Sequence, residues 1–286
     1  MTILPTERSG YDQRSLVISL ETVQREGLRM LFRAAPAKVA DALGVRVMEC
    51  ATELYLGTRE MPGIQFNKIV GFGIDGPVTP ARLDVAAGWL RQCCPAGSML
   101  MLPPLEASPH LASWLAERGF ERHAIDVSVF HLPDDAALDL PPPADIQVRA
   151  VSPHQASLFG RVISDGLGKT PAYAEWPAAL VGQPGVTAYL AYDGPTAIGG
   201  AALFVSGVRA WLFLAASMPA YRKRGAQTAL LAHRIKSGRD AGAKTFSVEV
   251  LRPVAGHDNM FASYRNVRRA GFELAYQRPN YRLSLP

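Results

Sequence analysis

The chain has too few cysteines to be held together by disulfides. Its 286 residues include three. Two of these, Cys93 and Cys94, are adjacent, and Cys50 lies far from both, so neither a disulfide framework nor a C-x-x-C metal pair can be built. Long apolar runs are missing too, and none approaches the ~18 residues of a membrane span. The first residues carry Glu7, Arg8 and Asp12 and have no apolar stretch like that of a secretory signal. The expectation is a protein of the reducing cytoplasm. The six histidines show no i, i+4 pair and no cysteine at ligand spacing, so no metal is expected. No G-x-S-x-G elbow points to a serine hydrolase. Charge is sparse at 19%, against 48% hydrophobic residues, which is the balance of a folded chain and not of a disordered one.

The charge that is present is unevenly placed. The net value is +5, yet residues 218–286 hold 13 Lys and Arg against 4 Asp and Glu, which leaves the rest of the chain negative. A basic C-terminal quarter suits a polyanionic ligand or a solvated basic face. Coenzyme A and nucleic acid both meet the first description, and charge alone does not separate them.

That basic segment opens on the most informative stretch of the chain. The apolar run Ala210–Ala216 is short and aromatic-rich and is soon followed by Pro219, so it reads as a buried strand. After it, Leu231 and Ile235 stand one helical turn apart, and Gly238 and Gly242 supply stop signals, so this part reads as a helix. Arg222, Lys223, Arg224 and Gly225 therefore sit where a strand feeds a helix N-terminus. Unpaired amides and the positive end of the helix dipole favour a phosphate there. Gly225, lacking Cβ, lets the backbone approach an anion. The stretch is read as a pyrophosphate cradle.

The same residues carry a family resemblance. Arg222-Lys223-Arg224-Gly225-Ala226-Gln227 resembles the Arg/Gln-x-x-Gly-x-Gly/Ala signature of the GNAT N-acetyltransferases, with Pro219-Ala220-Tyr221-Arg222 before it and Ala229-Leu230-Leu231 after it. It departs at the last position, where Gln227 replaces the usual small residue. The resemblance implies acetyl-coenzyme A as co-substrate, held by Arg222, Lys223, Arg224, Gly225, Ala226, Gln227 and Thr228 at its phosphates. It also implies that amides of Leu214, Ala215, Ala216 and Ser217 hold the pantetheine and thioester.

An internal echo organises the rest. Leu115-Ala-Glu-Arg-Gly119-Phe120-Glu121 is matched by Val267-Arg-Arg-Ala-Gly271-Phe272-Glu273, each closing a helical stretch and opening an alternating, strand-like one. Between the halves lies a proline-rich, acidic segment containing Pro141-Pro142-Pro143. The division read from this is a degenerate GNAT-like domain without a pyrophosphate loop at 1–132, a linker at 133–145 and an acetyl-CoA-binding domain at 146–286. The implied fold class is mixed α/β, two GNAT-like domains, each a mixed, mostly antiparallel sheet flanked by helices. Coarse periodicity places helices near 21–33, 36–43, 79–92, 153–166 and 259–270, and strands near 45–50, 53–57, 66–74, 98–102, 124–130, 146–150, 187–192, 198–205, 244–250 and 281–285.

Two motifs are decoys. Gly71-Phe72-Gly73-Ile74-Asp75-Gly76 matches a dinucleotide fingerprint, but the strand about 20 residues on carries no acid for a ribose. Gly168-Lys169-Thr170 ends like a P-loop, yet Ile163 stands where its first glycine belongs.

Acetyl transfer to an amine needs a base or water relay and benefits from a proton donor for the departing thiolate. The resemblance implies a Glu base on the strand before the cradle or on its neighbour. The Trp211 strand has none, so Glu249, on the strand after the cradle helix, is the candidate, and its other reading is a surface carboxylate paired with Arg252 or Lys244. For the acid, the family's usual tyrosine position is Val267, so Ser263 and Tyr264 are the candidates. The expected function is an N-acetyltransferase acting on a primary amine of a small molecule or peptide, as a monomer or homodimer with no membrane partner. A non-catalytic coenzyme A-binding or regulatory module is the alternative. A nucleic-acid-binding module ranks below both, because the basic residues lack the interleaved aromatics of a stacking platform.

Overall fold

The computed structural model describes residues 13–93, 99–105, 108–136, 140, 143, 145–252 and 262–284. In chain order the first half gives α1 (Gln13–Arg33), α2 (Ala37–Leu43), β1 (Val45–Cys50), β2 (Glu53–Thr58), β3 (Lys68–Val70), α3 (Pro80–Cys93), β4 (Met99–Met101), α4 (Leu111–Glu117), β5 (Phe120–Arg122) and β6 (Val127–Leu132). The second half gives β7 (Ile146–Ala150), α5 (Ala156–Gly166), α6 (Glu175–Ala178), β8 (Val186–Asp193), β9 (Thr196–Ser206), β10 (Arg209–Ser217), α7 (Ala226–Asp240), β11 (Thr245–Leu251), α8 (Ala262–Arg269), β12 (Glu273–Arg278) and β13 (Asn280–Leu283).

Local chemistry accounts for the main elements. α1 buries Val17, Leu20, Val23, Gly27, Leu28 and Leu31, a stripe at helical spacing. β9 is buried from Ile198 through Phe204, as expected of a strand covered on both faces. Gly119 and Gly271 hold φ of 80° and 82° just past α4 and α8, so the echoed glycines both end a helix in the left-handed region. The strand expected over 66–74 is only Lys68–Val70, because Gly71 and Gly73 turn the chain at φ of 91° and 79°.

Two mixed, mostly antiparallel sheets result. The first runs β1-β2-β3-β4-β13-β5 and the second β12-β6-β11-β10-β9-β8-β7. β6, from the first half, lies between β11 and β12, antiparallel to each; β13, from the end of the chain, lies between β4 and β5. The sheets therefore do not part at 133–145: residues 127–132 belong to the second sheet and 280–283 to the first. The physical cause is local. Only Pro279 separates β12 from β13, and without an N–H it cannot extend the β12 ladder. The two crossings are pinned together, with His123 donating its backbone N–H to Asn280 O at 2.8 Å and Asn280 Nδ2 donating to Ile125 O at 2.8 Å.

One apolar cluster spans both halves, joining α1 residues such as Leu20 and Leu28 to Phe66 and Met101, and to Phe159, Trp176, Trp211 and Phe213 of the second half. Trp176 also donates its indole N–H to Leu31 O at 2.7 Å. A second cluster lies under α7 and α8, and a third between α3, α4 and the first sheet.

Candidate functional site

The second sheet opens in one place. β10 pairs with β11 in parallel only from Arg209↔Thr245 to Trp211↔Ser247, and beyond that the strands part. β11 stays paired with β6 out to Leu251, so it is β10 that leaves. Its register with β9 shifts between Phe213 and Ala216, and Leu214 takes φ of 49°, the signature of a bulge. A bulge bends the strand and re-aims its backbone. The gap holds a cavity of about 160 Å³ walled by Leu212–Ala215 on one side and Val248–Val250 on the other. A wider cavity of about 880 Å³ adjoins it, and Ala215, Gln227, Ser263 and Asn266 line both.

The wider cavity lies at the N-terminus of α7. After a single turn at Pro219–Tyr221, Lys223 and Gly225 take φ of 67° and 89°, and α7 begins at Ala226. Among the described residues no side chain caps this N-terminus, and its first turn has no acidic residue. Its first amides and the positive dipole end are thus left for an anion. Arg222 and Lys223 line the cavity, with Gly225, Ala226, Gln227 and Thr228, and Arg269 joins them from α8. Ala216 and Ser217 of β10 complete this wall, while Leu214 and Ala215 face the inner cavity.

Three residues of this loop have partners within the protein. Arg224 does not line either cavity: its guanidinium pairs with Asp193 Oδ2 at 2.6 Å and lies over the Tyr221 ring at 5.4 Å. Gly225 is required by its own left-handed φ and by the Pro143 ring, which a Cβ there would strike, so its missing side chain accommodates the chain itself. Gln227, at the position where the resembling signature has a small residue, donates Nε2–H to Ser217 Oγ at 2.9 Å and stands where the two cavities meet.

The three candidate catalytic residues fare differently. Glu249 lines the inner cavity, but neither Arg252 nor Lys244 is its partner. Its carboxylate binds Lys68 Nζ at 3.2 Å, Arg278 Nη1 at 3.0 Å and the Gln24 side-chain amide. Burial pushes its pKa up, yet the two cations outweigh this and hold it below the usual carboxylate value. Arg252 pairs instead with Asp126 at 3.3 Å. Ser263 is exposed and lines both cavities. Tyr264 turns away and packs edge-on against Phe130 at 5.2 Å.

Two groups escape a reading by pattern. Arg234 is 3% exposed on α7 and lines the inner cavity; its guanidinium donates to the carbonyls of Leu230, Ala202 and Phe213 at 3.1, 3.1 and 3.4 Å. Behind Glu249, Arg278 is fully buried, donating Nε–H to Glu21 Oε1 at 2.9 Å and also binding Gln24, while Tyr276 donates its hydroxyl to Glu21. A signal did exist. Glu21 and Gln24 lie within the apolar stripe of α1, and Arg234 lies between Leu231 and Ile235 in that of α7.

The corresponding turn of the first half, between β3 and α3, holds an ion-pair cluster. Arg82 binds Glu53 and also Asp75 Oδ1 at 2.9 Å. Among the described residues, no His/Cys/Asp/Glu group suited to a metal occurs, and no helix is long and apolar enough to cross a membrane.

No protein-family model matches the chain, and no curated protein does. Solved structures do. A GCN5-related N-acetyltransferase from Kribbella flavida superposes with a TM-score of 0.59 at 16% identity, over 92% of this chain and 95% of that one. A tandem GNAT protein from the clavulanic acid biosynthesis pathway gives 0.50 at 17% identity, over 91% and 94%. A GCN5-related N-acetyltransferase from Sphaerobacter thermophilus gives 0.52 at 16% identity, over 64% and 58%. The fold is that of the GNAT acetyltransferases, in a two-domain arrangement.

Proposed function

We propose that the chain is an acyltransferase that binds a coenzyme A thioester in the second sheet, acetyl-CoA in the first instance, and passes the acyl group to a primary amine of a small-molecule or peptide acceptor. The observation that carries this is the parting of β10 from β11 beside an uncapped helix N-terminus flanked by Arg222 and Lys223. Those cations and the first turn of α7 suit a pyrophosphate. The freed edge of β10 from Leu214 to Ser217 suits the amides of a pantetheine arm. The first half supports the second, and its own turn, closed by Arg82, Glu53 and Asp75, takes no cofactor.

In this reading the coenzyme supplies an activated acyl group. Ser263 donates a proton towards the departing thiolate, a role Tyr264 cannot share while packed on Phe130. Glu249 serves the amine through a water relay, because its two cations make it a weak proton acceptor. The protein works in the cytoplasm as a monomer or homodimer.

The pairing of Glu249 also favours a second reading, a coenzyme A-binding module without turnover. Calorimetric titration with acetyl-CoA, followed by a thiol-release assay over a panel of amines, separates the two. One site per chain, lost in Arg222→Ala/Lys223→Ala, with amine-dependent thiol release, is the expected result. Binding without release for any amine would favour the module. A folded protein that binds no coenzyme A thioester would remove both.

A further inference from the structure

Among the described residues, the buried charges around the inner cavity do not cancel. Lys68 and Arg278 face Glu249 and Glu21, two cations against two carboxylates. Arg234 is left over. Its guanidinium has no carboxylate within ion-pair distance among the described residues, and only backbone carbonyls accept from it. Burial lowers its pKa to about 9, which still leaves it charged at neutral pH.

Carbonyl dipoles satisfy N–H groups but do not neutralise a charge, so a buried cation of this kind favours an incoming anion. Position says which end of a ligand could supply one. Arg234 is eight residues along α7 from Ala226, about 12 Å deeper than the helix N-terminus by helical rise. Phosphates fit the mouth of the cleft, where Arg222, Lys223 and Arg269 stand. Between mouth and depth the walls are largely apolar, with Leu212, Leu231, Val248 and Val267. An arm running inward along β10 would bring its thioester end to the guanidinium.

We infer that Arg234 recognises a carboxylate on the transferred acyl group, so that the preferred donor is the thioester of a short dicarboxylic acid. This rests on the coenzyme A reading given above and names the donor class within it. The inner cavity, at about 160 Å³, admits a short acyl chain only. The carbonyls of Ala202 and Phe213, beside the bulge in β10, hold the guanidinium in place. Planar N–H donors held in this way suit a carboxylate.

Calorimetric titration of the full chain with acetyl-CoA, malonyl-CoA, succinyl-CoA and free coenzyme A provides the test, on the wild type, Arg234→Leu and Arg234→Lys. A dicarboxylic thioester is expected to bind about tenfold or more tightly than acetyl-CoA, the scale of one charge-assisted hydrogen bond. Arg234→Leu should abolish that preference, so that acetyl and dicarboxylic thioesters bind with equal affinity, and Arg234→Lys should retain part of it. Equal wild-type affinities for acetyl and dicarboxylic thioesters would overturn the inference and leave the coenzyme A reading standing. So would an equal loss for all thioesters in Arg234→Leu, which marks a purely structural role. Tightest binding of free coenzyme A would point to its thiolate as the anion, against the carboxylate. Failure of every coenzyme A species to bind the wild type would sink both readings. If Arg234→Leu fails to fold, the wild-type comparison still decides.

Discussion

Gln227 donates its side-chain amide to Ser217 Oγ at 2.9 Å, tying the first turn of α7 to the last residue of β10. Gln227 lines both the outer and the inner cavity, and the coenzyme A reading given above has the ligand arm displace this side chain as it passes between them. Gln227→Ala is therefore expected to bind acetyl-CoA severalfold more tightly, with a stability loss of about 1 kcal/mol from the missing hydrogen bond. Calorimetry and urea unfolding measure the two effects. Weaker binding in the variant would mean that the amide contacts the ligand itself.

Arg224 and Arg222 should behave differently despite their near adjacency. Arg224 pairs with Asp193 at a well-exposed site, and such pairs contribute about 0–1 kcal/mol. Arg224→Ala should leave acetyl-CoA affinity within about twofold, whereas Arg222→Ala or Lys223→Ala should each lower it about tenfold, as loss of a charge-assisted contact does. The order would be reversed if Arg224 were the phosphate ligand.

Gly225→Ala tests the loop itself. The residue holds φ of 89°, and a Cβ there would strike the Pro143 ring. The strain should cost about 1–3 kcal/mol, visible as a lowered Tm. Acetyl-CoA binding should fall with it, because the loop and the start of α7 must shift together. Unchanged stability and affinity would show that the turn tolerates a side chain.

Glu249 links stability to pH. Its folded-state pKa is held below the ordinary 4.5, chiefly by Lys68 and Arg278 working against burial. A depressed carboxylate contributes stability that is complete above its unfolded pKa and is lost as pH falls through the folded value. Glu249→Gln should be about 3 kcal/mol less stable than wild type at pH 7, since Lys68 loses its carboxylate while buried. The gap should narrow as pH drops below 4.5. Urea unfolding at pH 7 and in acid reads both parts. A gap independent of pH would show that this carboxylate is not stabilised by its charge.

Cutting the chain between its halves should not separate them. β6 is hydrogen-bonded into the second sheet and β13 into the first, so each half holds a strand of the other. A protease site inserted between Ala136 and Leu140, once cleaved, should leave a complex that co-elutes on gel filtration in buffer and divides only in denaturant. Separation in buffer would contradict the exchange.

Much of the architecture was legible because its signals are local. α2, β1 and β7 fall on the ranges that periodicity gives, within a residue. The echoed Gly119 and Gly271 mark helix ends, a matter of backbone freedom that the residue type announces. The loop proposed to take an anion is equally local, made of a strand, two cations, a glycine and a helix start, all contiguous in the chain.

The sequence by itself marked most of the elements, the duplicated pattern and the turn from β10 into α7, since each depends on neighbours within a few residues. Only the tertiary structure decided which strands share a sheet, because β6 and β13 carry the same alternating pattern wherever they pair. It also decided the partners of charge. Arg224 meets Asp193, and Glu249 meets Lys68 and Arg278, across separations of 31, 181 and 29 residues. Arg234 has no such partner among the described residues; its guanidinium is held by the carbonyls of Leu230, Ala202 and Phe213, and it lines the inner cavity. Long-range pairing of this kind is set by how the halves pack, and no spacing within the chain encodes it.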